Sequence, residues 1–379
     1  MKTAAFRKVT AICLTIMMLL TCLSSQATDE TTTQIVTSGH DETVDGAVII
    51  TVTTNVDADG VIVDATGGAD ASLTVTNFVS AEREAPAAPY YEAEAAQVNT
   101  EHGNEAKLTV EKAIEAETSV NNSPATAVEA SAEDADSRAV VEAGSISAET
   151  EGNQSKATAV NAQADDSGSV TVNTESISAE TEGNQSQATA VSIEAEDEGN
   201  VEVKADVITA KTEGNSSSAN AVIAYAEDGG SITLQAGTVS AETEGNVSAP
   251  DAMNLKTKNG TIKATVEDEV TATAENGSPR AILAETSGEK SDIDVTVGGV
   301  SAQGKTGTSA VELRGQGGSV SVEVEQDVSS SGNGILIRDI TAKSSDMTAA
   351  EGSAVAGKGN KNNSWTNGSD IYEHYNLYR

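Results

Sequence analysis

Cysteine, histidine, basic residues and aromatic rings are all scarce in this chain, and each scarcity closes a line of function. Both cysteines, Cys13 and Cys22, fall within the first 27 residues, so the rest of the chain has no disulfide and no thiol chemistry. The histidines, His40, His102 and His374, are scattered and share no spacing. A histidine-based triad or a zinc centre therefore has no support. Tyr225 is the only aromatic residue between 92 and 364, which leaves a sugar-stacking platform without its rings. Lysine and arginine total 22 against 59 acidic residues, for a net charge of −37. Nucleic acid and anionic membrane surfaces are excluded as partners, because their phosphates repel such a surface.

Long apolar runs are also missing after Ala11–Leu23. With Lys2, Arg7 and Lys8 before it and Ser25-Gln26-Ala27 after it, that run reads as a signal peptide over 1–27. Leu19-Leu20-Thr21-Cys22 resembles a lipoprotein box, but Thr21 fits poorly before the cysteine, and cleavage after Ala27 is the expectation. The expected location is secreted or on an extracellular surface. Leu, Ile, Val and Phe make up 71 of the 379 residues, few enough at this charge for composition alone to suggest a largely disordered acidic polymer. Placement of those residues argues the other way.

Ile146, Ile177, Ile208, Val239 and Val270 recur every 31 residues, and Ala148, Ala179, Ala210, Ala241 and Ala272 keep the same step. Asn122, Asn153, Asn184, Asn215 and Asn246 do so as well. A fixed period of this size marks a solenoid or array. Within a period the alternation is two residues, in the sets Ile177-Ala179-Thr181, Val191-Ile193-Ala195 and Val201-Val203-Ala205. Gly-Asn turns separate them, which predicts three short strands per repeat. The fold expected is all-β, a parallel β-helix (β-solenoid) of about ten coils. Its default hand is right-handed. The register divides the chain into irregular coils over 28–105, regular repeats over 106–345, and a C-terminal cap or tail over 346–379. The coil from Val79 to Ile114 has 35 residues, and its surplus is placed in the Pro- and Tyr-containing stretch at 83–97.

The phrase Ile-Ser-Ala-Glu-Thr-Glu-Gly-Asn-Gln-Ser begins at 146 and again at 177, with variants beginning at 208 and 239. On these residues the chain resembles the right-handed parallel β-helix repeat domains of secreted bacterial surface proteins, adhesins and autotransporter passengers among them. The resemblance covers about 48 to 345 and implies architecture alone, since no family active-site motif is matched.

Candidate sites follow from the register. The Asn column is expected to be an amide ladder. Its members also satisfy the N-glycosylation sequon, and the ladder accounts for the same residues structurally. Asp166, Asp197 and Asp228 share one turn position, and Glu151, Glu182, Glu213 and Glu244 another. These stacked carboxylates form a solvated acidic face, with weak Ca²⁺ binding as the alternative. Tyr90, Tyr91, Trp365, Tyr372, Tyr375 and Tyr378 are candidate contacts for a host or cell-wall glycan or a surface protein. Gly299–Thr306 matches the phosphate-loop pattern, but Val300-Ser301-Ala302 sits in a strand register and no helical pattern follows, so the match is coincidental. No catalytic or cofactor-binding residue is assigned. The leading expectation is a non-enzymatic adhesin-like stalk or binding surface, ahead of a carbohydrate-active enzyme acting on acidic polysaccharide.

Overall fold

The computed structural model describes residues 34–371, apart from 53–56, 85–90, 247–248, 306, 327, 332, 339–343, 350–354, 358–362 and 368–369, and describes side chains over 35–331. The expected signal peptide, Tyr90, Tyr372, Tyr375 and Tyr378 lie outside the described residues, and of Trp365 only the backbone is described.

Alternation every second residue lets a strand bury one row of side chains while both its edges pair with copies of itself. The chain uses this to build two sheets, of 12 and 16 strands, in which all the main pairings are parallel. In a central turn, Gln187–Ala195 lies in the first sheet. The chain then turns at 196–199 and enters the second sheet as Asn200–Thr212. The next coil repeats the path, with Ile177 paired to Ile208 and Val191 to Val222. Ten rungs of the first sheet, from Gln34–Thr37 to Ser309–Gln316, enclose about nine turns, close to the expected ten. Short rungs at Asn333–Arg338 and Val355–Gly357 continue it. Among the described residues there is no helix.

The three segments expected per coil are present, but in the central coils two of them join. Val201-Val203-Ala205 and Ile208-Ala210-Thr212 form one bent strand, because ladder pairing resumes at once across the corner at Asp206. In the N-terminal coils the same segments stay separate, as Ala71–Val75 and Val79–Arg83. The core between the sheets is one continuous cluster, running from Val36 to Val324, of mainly Val, Ile, Leu and Ala side chains. Burial of these residues stabilises the fold by roughly 25 cal/mol per Å² of apolar surface. With alanine at so many inward positions, order depends heavily on the backbone ladders.

Candidate functional site

The corner Glu-Gly-Asn-x-Ser is the most repeated element, and each of its residues has a physical task. A Cβ on Gly152, Gly183, Gly214 or Gly245 would lie 2.0 to 2.1 Å from a carbonyl oxygen of the preceding coil, so only glycine fits. The asparagine then turns its amide along the solenoid axis. Asn184 donates to Asn153 Oδ1 from its backbone N–H at 2.9 Å and from Nδ2 at 3.1 Å. Asn215 repeats the pair of bonds to Asn184, and Asn246 to Asn215. The serine is buried, and the Oγ of Ser155, Ser186 and Ser217 each donates at 3.1 Å to a carbonyl of the coil before, that of Val120, Gly152 and Gly183.

One member of the expected ladder is misassigned. Asn153 bonds to Asn121 Oδ1 at 2.7 Å, so Asn121 is the first rung. The coil linking them holds 32 residues, as the pairing of Ile114 with Ile146 shows, and a 31-residue step backwards lands one place late. Asn122 instead takes the left-handed turn position of Gln154 and Gln185, at φ 58°.

The glutamate column also differs in detail. Glu151, Glu182, Glu213 and Glu244 are exposed. Beside them runs a second column, Glu82, Glu117, Glu149 and Glu180, in which Lys211 comes next and Glu242 follows it. The Lys211 ammonium lies 2.5 Å from Glu213, 3.3 Å from Glu180 and 3.4 Å from Glu244, and so joins carboxylates of three successive coils. These contacts, led by the Glu213 hydrogen bond, raise its pKa. Partial burial and then the stacked like charges push Glu117 and Glu149 up.

At the aspartate turns, Asp166 and Asp197 are brought together, with Asp165 and not Asp228 as third member, their carboxylate oxygens within 4.8 Å of one another. Asp228 is one coil further on and accepts from Asn259 Nδ2 at 3.4 Å. Local desolvation and then Asp165 and Asp166 raise the pKa of Asp197. Three carboxylates on an open turn are few donors for a cation that takes six to eight oxygens.

Two arrangements had no signal in the period. On the outer face of the first sheet, Asp59 and Glu94 stack in one column, with Glu92 beside them and Glu129 one rung on. Glu92 accepts a 2.5 Å hydrogen bond from Thr126 Oγ1, and its backbone N–H donates to Asp57 Oδ1 at 2.8 Å. Burial, and then Glu129, Glu92 and Asp59, push the Glu94 carboxyl up to about 8. Further along the same face, Arg280 makes a bidentate pair with Asp251 at 2.7 and 2.6 Å, and Arg314 holds the buried Glu312.

Of the candidate aromatic contacts, Tyr91 is half-buried as an anchor. Its ring lies 5.2 Å from the Arg83 guanidinium, which also donates to its carbonyl and, at 2.6 Å, to Ser123 Oγ. Trp365 falls in the strand Asn363–Asn367, which pairs with Ser344–Ala349. Gly299–Gln303 of the phosphate-loop match are strand residues.

Comparison of the chain with protein-family models, with curated proteins and with solved structures gives no match.

Proposed function

We propose that the protein is an exported, non-enzymatic β-solenoid that serves as an adhesin-like stalk or binding surface. What carries this reading is the coil-on-coil pairing that continues from Glu105 to Gln303 in the second sheet, interrupted only by single-residue register shifts, in a chain with 59 acidic residues against 22 basic ones. A stalk needs such continuity, whereas a catalytic centre calls for a local break that gathers different groups. The partner class is a host or cell-wall glycan or a surface protein, met by the Pro- and Tyr-containing stretch at 83–97 and by the aromatic residues after 364. Binding of the purified mature protein to cells, matrix proteins and a glycan array tests this. Loss of binding on deleting 85–90 or 364–379 is the expected result, and binding unchanged by both deletions overturns it.

A carbohydrate-active enzyme is the second reading, and the Glu94 carboxyl favours it, since a raised acid suits protonation of a leaving group. Release of reducing or unsaturated ends from acidic polysaccharides, abolished by Glu94→Gln, would establish it in place of the stalk.

A further inference from the structure

The carboxyl groups at the N-terminal end of the first sheet are placed against the usual rule that like charges are kept apart or in water. Strands Ala58–Ala65, Ala93–Thr100 and Ala125–Ala132 are successive rungs, and their pairing puts Asp59, Glu94 and Thr126 in one column. Gln97 and Glu129 are partners in the neighbouring column. Glu94 Oε1 is buried with no hydrogen-bond partner among the described residues, and its carboxyl group lies against that of Glu129. Two ionised carboxylates in such contact repel strongly, whereas one proton turns the contact into a hydrogen bond, with Glu94 donating and Glu129 accepting.

The surroundings supply little positive charge. Asp57 and Glu92 add further carboxylates, and Glu92 is committed to Thr126 Oγ1. Lys156, at the start of the next rung, acts on Glu92. Arg83, from the second sheet, acts on Asp57 while its guanidinium donates to Ser123 and to the Tyr91 carbonyl.

We propose that this carboxyl stack is a proton-operated clasp: a proton held at Glu94 keeps the N-terminal rungs of the first sheet closed on the body of the solenoid, and release of that proton to solvent drives them open. The sign follows from linkage. Glu94 is raised from 4.5 to about 8 in the closed state, while the opened strand has an ordinary carboxyl. The closed state therefore binds the extra proton between these values. Closure weakens as pH rises through that window and levels off above it. Asp59 and Glu92, both also raised by burial first, act in the same direction.

Amide hydrogen exchange of the full mature chain, followed by mass spectrometry and corrected for intrinsic rates, tests the clasp between about pH 5 and pH 9. Protection of peptides within 58–65 and 93–100, taken relative to 187–195, is expected to fall by close to tenfold per pH unit up to about pH 8 and then level off. Glu94→Gln is expected to leave that ratio high and flat. Should Glu94→Gln fail to fold, Glu129→Gln serves instead, because removing the facing charge moves the midpoint to lower pH. A flat ratio in the wild-type chain, or a variant that keeps the wild-type slope and midpoint, overturns the proposal.

Discussion

The central coils and the N-terminal coils solve the same packing problem by different means. Between Arg138 and Asn246 the copies repeat residue for residue, and an inward row such as Ile177-Ala179-Thr181 holds one large side chain. The matching first row at the N-terminus is Val48-Ile50-Val52. The N-terminal coils have the bulkier row, three separated strands, a coil 35 residues long and stacked carboxyl groups. The centre has the glycine corner and the amide ladder. Regular repetition thus substitutes for core volume: where every coil presents the same groups to the next, short axial hydrogen bonds hold what a thin apolar core holds less well.

That contrast can be broken most severely at a corner glycine. Gly183→Val forces a side chain onto the Gly152 carbonyl, and we expect a loss of about 3 kcal/mol in denaturant unfolding. A loss below about 1 kcal/mol would mean that the coils yield easily and that repetition confers little rigidity. A sharper test compares adjacent residues. Asn121→Ala removes the first acceptor of the ladder and should cost about 1 kcal/mol. Asn122→Gly, at a left-handed turn position that glycine accepts, should stay within about 0.5 kcal/mol. A larger cost at Asn122 than at Asn121 would show that the 31-residue register describes the corner better than the observed pairing. The smallest effect concerns Lys211. Lys211→Met should destabilise by about 0.5 kcal/mol in dilute buffer and by much less in about 1 M salt, because screening relieves the glutamates it leaves behind.

The period, the strand alternation and the corner were legible because each is a property of spacing. Spacing also accounts for the error at Asn122, since a single inserted residue shifts a column without altering the phrase it contains. The Asp251–Arg280 pair, the Glu312–Arg314 pair and the Glu94 stack were not legible. They lie on the outer face, where alternation says only that a side chain points away from the core. Their meeting depends on which rungs are neighbours and how closely the face folds around them. Asp166 and Asp197 were placed together by period, while Asp165 joined them through turn geometry that period does not carry.

The asparagine column has one further consequence. Every bond in it runs the same way, with the later coil donating and the earlier coil accepting, so each corner is both a lock and a key of one pattern. A coil excised between Ser147 and Ser178 would bring together two ends that already fit. During copying of the gene, whole units can therefore be gained or lost without a new interface having to arise. The length of the rod is a heritable variable, separable from its shape, and populations of related chains should differ by integral numbers of turns.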